Sequence, residues 1–391
     1  MRLRPVVVRH HRSATGRPIL VTVSDDTRGA AGGATRAAGT SDEAAALVVA
    51  VAWVVALVTG QLLVGGRLSV VPWLALGPLL ASLVLTWRWT AVAAAATVLG
   101  VCLISADAGD LGTGQGLVRV AGVTALAAFA VLSSLVRVRR EEQVARVAQV
   151  AVVAQAAILH PVPARVGTLA MASRYVSATS DALVGGDLYD VVSTARGVRV
   201  IVGDARGKGL GALQTSAAVL SAFRHAAPRP DLALDDLARE IERAVAPALS
   251  AEDFVTAVLC ELAPDGRLDL VLCGHPSPLR LVPGRTPEEL GSRPGPPLGL
   301  GVDPVVESTT LHSGQRLLLY TDGVIEARDP AGRFFDLPAA ASQLGSQGPV
   351  SETALDDALE QLMAQVRTHV GGTLTDDVAA LLAEPLGPSA P

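Results

Sequence analysis

The apolar positions of the chain fall into two regimes. Between residues 43 and 136 they form four runs almost free of charge, at about 44–66, 68–87, 89–106 and 117–136. A membrane-crossing helix needs about 20 apolar residues, so each run predicts a transmembrane helix. Trp53, Trp73, Trp87 and Trp89 all lie in this region, and the last two flank a turn, as interfacial aromatics do. Residues 137–160 then read as one linker helix. Val144, Val147, Ala151, Ala154 and Ile158 recur at spacings of three and four, the narrow seam of a coiled coil. The seam predicts either pairing with a second copy or a packed amphipathic linker, and His160-Pro161-Val162-Pro163 ends it.

From 161 to 384 the period changes. Short apolar runs ending in Gly or Asp predict strands at Val198–Val202, Phe254–Leu262, Arg267–Cys273, Gln315–Tyr320 and Val378–Ala383. Pro264-Asp265-Gly266 marks a hairpin between the second and third of these. Helical stretches are expected at 209–226, 232–248 and 352–368. The pattern is that of an α+β domain. Residues 1–42, rich in Arg, Ala, Gly, Thr and Ser, and the Pro-rich residues 385–391 predict disordered tails.

Composition sharpens this division. Half of the residues are hydrophobic and only 18% are charged, too apolar for an ordinary soluble enzyme. The net charge of −5 gives no reason to expect nucleic acid as a partner. Arg2, Arg4, Arg9, Arg12 and Arg17 precede the first run, Arg88 separates the second from the third, and Arg137, Arg139 and Arg140 follow the fourth. Asp107 and Asp110 lie between the third and fourth. Positive-inside counting therefore puts both ends in the cytoplasm, against a weak contrary vote from Arg67 in the first loop. No run holds a central ionisable residue, which argues against a transport pathway. Cys102, Cys260 and Cys273 have neither metal-site nor disulfide spacing.

The candidate chemistry lies where predicted strands end. Gly185-Gly186-Asp187, Gly203-Asp204, Thr321-Asp322-Gly323 and Thr375-Asp376-Asp377 each place a carboxylate in a turn beside small residues. One such aspartate is ordinary; four in one domain predict carboxylates gathered at one sheet edge. Oxygen-only ligands suit Mg²⁺ or Mn²⁺ rather than zinc, and paired ions can activate water and polarise a phosphoryl group. The loop Gly203–Gly209 is not a Walker A loop, because its spacing is wrong. Lys208 is the only lysine in the chain, and its sequence position fits equally a phosphate-facing group and a surface residue at a helix start. His275 and Tyr189 read as structural, since carboxylates already supply the ligands and an aromatic beside a ligand usually packs.

Six motifs in order resemble those of the SpoIIE/RsbU-type bacterial serine phosphatases, within the metal-dependent protein phosphatase (PPM) superfamily. They are Asp181-Ala-Leu-Val-Gly-Gly-Asp-Leu-Tyr-Asp190, Val202-Gly-Asp-Ala-Arg-Gly-Lys-Gly-Leu-Gly-Ala212, Cys273-Gly-His-Pro-Ser-Pro-Leu279, Pro297-Leu-Gly-Leu300, Leu319-Tyr-Thr-Asp-Gly-Val-Ile-Glu-Ala327 and Thr375-Asp-Asp-Val378. The resemblance implies an α-β-β-α sandwich over residues 161–384 and a centre of two ions, Mn²⁺ or Mg²⁺. It implies metal ligation and catalysis by Asp187, Asp204, Asp322 and Asp376, with the backbone carbonyl of Ala205 as a further ligand. Asp377 and Asp190 are the nearest substitutes. A bridging hydroxide would attack phosphoserine or phosphothreonine directly, without a phosphoenzyme. The implied substrate is a phosphorylated anti-sigma-factor antagonist of the STAS type. The implied assembly is a multi-pass membrane protein with a cytoplasmic phosphatase domain, paired as a homodimer through the linker. Two positions depart from the family's pattern: Arg206 replaces a small residue, often Ser, and Ala379 stands where Thr is common. If they mark lost chemistry, the chain is instead a silent membrane-bound regulator that binds such a partner.

Overall fold

A computed structural model describes residues 31–64, 71–177, 185–250, 252–345, 352–372 and 374–386. The stretch 1–30, the Asp181–Val184 start of the first motif and the residues after 386 lie outside the described residues. Two compact units are present, one within 24–146 and one within 147–391.

The first unit holds helices α1 (Ala31–Val64), α2 (Val71–Leu74), α3 (Leu76–Val84) and α4 (Trp87–Asp107) and the start of α5 (Gly114–Ile158). Among the described residues three segments are long and apolar enough to cross a membrane: Ala45–Leu63, Trp87–Asp107 and Gly114–Val147. The second of the four predicted spans differs. Its described part is broken at Ala75, and Pro72–Val84 remains a shorter apolar helix. Pro78, in the first turn of α3, has no amide proton for the Leu74 carbonyl one turn earlier, so the helix is interrupted before it. The fourth run and the linker also differ from the sequence division, since both belong to the unbroken α5. Arg137 on α5 donates to the Ser82 carbonyl (3.1 Å) and the Leu85 carbonyl (2.7 Å), satisfying the open C-terminal end of α3. Ser134 adds a bond to the same Leu85 carbonyl (2.9 Å).

In the second unit the chain runs β1 (Arg165–Val166), β2 (Leu169–Val176), β3 (Asp187–Thr194), β4 (Gly197–Ala205), α6 (Leu210–Ala226), α7 (Leu234–Val245), β5 (Val255–Leu262), β6 (Arg267–Cys273), β7 (Leu279–Leu281), β8 (Glu288–Glu289), β9 (Glu307–Thr310), β10 (Arg316–Tyr320), α8 (Asp322–Ile325), α9 (Leu337–Ala341), α10 (Glu352–Val370) and β11 (Val378–Pro385). The strands form two antiparallel sheets, ordered β1-β2-β11-β10-β7-β8 and β3-β4-β5-β6-β9. Helices α6 and α7 cover the outer face of the second sheet, and α10 covers that of the first. The result is the α-β-β-α sandwich expected from the sequence.

Burial on both faces explains why the strands read as continuous apolar runs rather than alternating ones. On β10, Leu317 and Leu319 enter the inter-sheet core, while Leu318 and Tyr320 face the α10 side. On β11, Leu381 and Ala383 point inward, and Ala380 and Leu382 outward. Each sheet also carries one buried Arg–Glu pair across neighbouring strands. Arg199 on β4 pairs with Glu261 on β5, and Arg316 on β10 with Glu384 on β11 (2.9 Å).

The lower half of the predicted seam is spent inside this unit. Ala154 and Ile158 pack on Leu213 of α6, and the buried Gln155 amide lies 3.4 Å from the Gly185 carbonyl. Val144 and Val147, in the upper half, are exposed.

Candidate active site

The β3–β4 register sets the first pair of carboxylates. Asp187 opens β3 directly opposite Asp204 near the end of β4. Both belong to one sheet; Asp322 and Asp376 belong to the other, the first opening α8 after β10 and the second just preceding β11. The four predicted positions therefore come from four strand termini at one end of the sandwich, two from each sheet.

Close backbone packing at this end requires glycine. A Cβ on Gly186 would stand 2.0 Å from the Ala205 carbonyl oxygen and 2.7 Å from Asp204 Oδ1. The Ala205 carbonyl and the Asp204 carboxylate thus crowd one space. A Cβ on Gly323 would strike the Asp377 carbonyl oxygen at 1.8 Å, so this glycine lets the Asp322 turn lie against the Asp376-Asp377 turn.

Electrostatics ties the carboxylates together. Asp187 is 3% exposed, and burial, followed by the charges of Asp204 and Asp377, holds its carboxyl well above the usual range. Burial, then Asp322, Asp376 and Asp377, pushes Asp204 up to about 7, with the Lys208 ammonium acting in the opposite sense. Asp322 is raised by burial and then by Glu326 and Asp376. Buried, mutually repelling carboxylates are the donor set that hard divalent cations bind. Asp187, Asp204, Asp322, Asp376 and the Ala205 carbonyl fit such ions on charge and atom type. Among the described residues no three side chains are already drawn in to closed ligand spacing. Asp376 turns to Lys208 instead, with Oδ1 3.0 Å from Nζ.

The two substitute aspartates separate cleanly. Asp190 is three residues along β3 from Asp187, so it faces the other side of the strand. There it pairs with Arg224 of α6, which also donates to the Ile158 carbonyl (2.8 Å), and it takes no part in the carboxylate group. Asp377 does take part. It is buried, accepts from the Tyr175 hydroxyl and the Gly185 amide (2.9 Å), and lies 3.2 Å from Ser177 Oγ.

Several holding residues carry no sequence signal. The Thr321 hydroxyl donates to Asp187 Oδ2 (2.9 Å) and accepts from the Ala379 amide (2.9 Å), joining Asp187 to β11. Position 379 enters this link through its backbone, which an alanine supplies as well as a threonine. Ser216 of α6 donates to the Gly186 carbonyl. Of these, only Thr321 could have been suspected, from its place before Asp322.

The remaining candidates are structural. His275 is buried, its Nε2 donates to the Tyr320 carbonyl (3.0 Å), and its Nδ1 accepts from Thr256 (3.0 Å). It thus pins the two sheets together beside the site, and burial lowers its pKa to about 4. Tyr189 is in the inter-sheet core. Arg206 does not crowd the carboxylates: its guanidinium donates to the Glu252 carbonyl and lies over the Phe254 ring, 5.4 Å from the centroid. The three cysteines are free.

The sequence profile described as Stage II sporulation protein E (SpoIIE) matches residues 194–385. Among solved structures, the SiaA-PP2C domain of Pseudomonas aeruginosa is similar with a TM-score of 0.52 at 21% identity, over 63% of this chain and 98% of that one. The RsbU and RsbW domains of a Mycobacterium tuberculosis protein match with a TM-score of 0.49 at 23% identity, over 57% of this chain and 61% of that one. The phosphatase domain and regulatory fragment of SpoIIE from Bacillus subtilis match with a TM-score of 0.43 at 19% identity, over 55% and 62%. The chain thus spans less than two thirds of the last two structures. The SiaA-PP2C likeness shows the fold.

Proposed function

Because the domain over residues 194–385 is a PPM-type protein serine/threonine phosphatase domain of the SpoIIE kind, we propose that the whole chain is a membrane-anchored, two-ion phosphatase. The observation that carries the reading is the meeting of Asp187, Asp204, Asp322 and Asp376 from four strand ends, the first three with carboxyl pKa values raised by burial and by neighbouring carboxylates. Mn²⁺ or Mg²⁺ would be held by these four and the Ala205 carbonyl, and when bound would supply Lewis acidity to water and to the phosphoryl oxygens. Thr321 fixes the Asp187 carboxylate, and Ser216 fixes the Gly186 carbonyl beside it. The half-exposed Asp376 edge is open to a phosphoserine or phosphothreonine carried on another protein. The substrate class we propose, as the resemblance of the six motifs implies, is a phosphorylated anti-sigma-factor antagonist of the STAS type.

Three helices of spanning length support a membrane anchor, and Arg137, Arg139 and Arg140 after the last apolar segment support a cytoplasmic phosphatase domain. The exposed Val144 and Val147 support pairing of linker helices in a homodimer. Val144→Glu/Val147→Glu is expected to convert a dimer to a monomer in analytical ultracentrifugation of the detergent-solubilised chain; a monomeric wild type would end that part of the reading.

The deciding experiment is turnover of p-nitrophenyl phosphate and of a phosphoserine protein by the full-length chain in detergent micelles. Hydrolysis is expected with Mn²⁺ or Mg²⁺ and none with EDTA. A folded, ion-saturated chain that hydrolyses neither substrate would overturn the proposal.

A further inference from the structure

The turn after β4 carries two cations with opposite arrangements. Arg206 is occupied by the Glu252 carbonyl and the Phe254 ring. Lys208, the only lysine of the chain, reaches from the β4 side of the sandwich to the β11 side. Its ammonium meets the Thr375 carbonyl (3.0 Å) and Asp376 Oδ1 (3.0 Å). The pair is open to solvent, with the lysine side chain 41% and the aspartate side chain 50% exposed. An exposed pair of this kind contributes little stability and opens readily. Asp187 and Asp204 show a different character, with the first fully enclosed and held by Thr321. Within this group Asp376 is therefore the carboxylate held by a replaceable partner.

Resting on the phosphatase reading above, we propose that Lys208 is a partner-exchanging residue of the site. Without ions it occupies the Asp376 carboxylate; with Asp376 engaged by a divalent ion, the released ammonium binds the phosphoryl oxygens of the substrate. Two features favour this. A compact ammonium on a flexible stem can leave a carboxylate for a phosphate without rebuilding the turn, whereas a guanidinium committed to a ring and a carbonyl cannot. The released group also stays tethered four residues from Asp204, so it remains beside the carboxylates at high effective concentration. No bond is made or broken in the exchange, which only redistributes ionic contacts.

A single lysine makes the exchange directly observable. In the full-length chain in micelles, amine acylation at Lys208 is followed by peptide mass spectrometry, separately from the N-terminal amine. The labelling rate is expected to rise several-fold when Mg²⁺ is added and to fall again when inorganic phosphate follows. Two variants give independent readouts. Lys208→Met is expected to bind Mn²⁺ several-fold more tightly by calorimetry, having lost the competing cation. It should also be inhibited about tenfold more weakly by inorganic phosphate, the equivalent of one ionic contact. Lys208→Arg should keep most of the phosphate inhibition. A Lys208 that merely pins two loops predicts the opposite for the ion, with Mn²⁺ binding weakened in the Met variant. That result, or a labelling rate indifferent to Mg²⁺, overturns the exchange. If the wild-type chain itself binds no Mn²⁺, the phosphatase reading fails and the exchange fails with it. Wild-type binding with an indifferent lysine rejects the exchange alone.

Discussion

Asp204→Asn is expected to abolish turnover and, in the absence of ions, to raise the melting temperature. The two effects have one cause. The Asp204 carboxyl sits among Asp322, Asp376 and Asp377, and its pKa is raised to about 7 by burial and by their charge. The unfolded chain releases this proton near the ordinary carboxylate value of 3.8, while the folded chain keeps it to about 7. Stability therefore falls as pH rises through that window and stays low above it. Asparagine is never charged, so the gap between variant and wild type opens between about pH 4 and 7 and is constant beyond. Relief of even 1–2 kcal/mol corresponds to a rise of about 2–8 °C for a domain of this size. Divalent ions reverse the order, because they stabilise only the wild-type carboxylate set. Loss of an outer-shell contact to a metal typically costs about 10–100-fold in activity, and loss of a ligand is expected to exceed that. Calorimetric melting at pH 5 and pH 8, with and without Mn²⁺, measures all of this. An ion-free Asn variant that melts below wild type at pH 8 would show that the carboxylates do not repel one another. This trade of stability for function is the usual one at sites that concentrate like charge.

Which parts of the site the sequence could reveal follows from the physics of each part. The strand-end aspartates were legible because Gly-Asp and Asp-Gly punctuate apolar runs, and those runs became β4, β10 and β11 within three residues of the expected limits. The choice between Asp376 and Asp377 was not legible. Adjacent residues before a strand face opposite ways, and only the fold shows Asp377 enclosed by Tyr175 and Gly185 while Asp376 turns to Lys208. Tyr175 lies 202 positions from Asp377, and no local pattern marks a partner that distant. The setting of Arg206 was hidden for a related reason: Phe254 and the Glu252 carbonyl, supplied by a separate stretch of chain, take it up. Hydropathy does not count backbone geometry, so the break at Ala75 within the described part of the second membrane run, one turn before Pro78, carries no signal there. Two of the seam positions, Ala154 and Ile158, pack on Leu213 of α6, a partner that the periodicity does not name.

Arg199→Met is expected to destabilise the chain by about 3–5 kcal/mol, the range for leaving one partner of a buried ion pair alone. Arg199 is fully buried on β4 opposite Glu261, and beyond that carboxylate it donates to the carbonyls of Ala227 (3.1 Å), Arg229 (3.1 Å) and Leu232. Those carbonyls lie at the end of α6 and in the turn before α7, so one guanidinium ties both outer helices to the sheet. After truncation Glu261, 3% exposed, keeps only Arg196 at 3.5 Å, and three carbonyls lose a donor. Lysine should not rescue, because a single ammonium cannot reproduce the planar fork that serves four acceptors. Arg199→Met/Glu261→Leu should recover part of the loss by removing the stranded charge, while the carbonyls remain unpaired. The consequence extends to the site, since α6 also carries Ser216, which holds the Gly186 carbonyl beside Ala205 and Asp204. Mn²⁺ affinity of the Met variant, measured by calorimetry below its melting temperature, is therefore expected to fall together with stability. A Met variant that melts within about 2 °C of wild type and binds Mn²⁺ equally would mean that apolar packing of α6 alone sets the site. It would then have to do so through contacts such as Phe223, Val219 and Leu220 in the core.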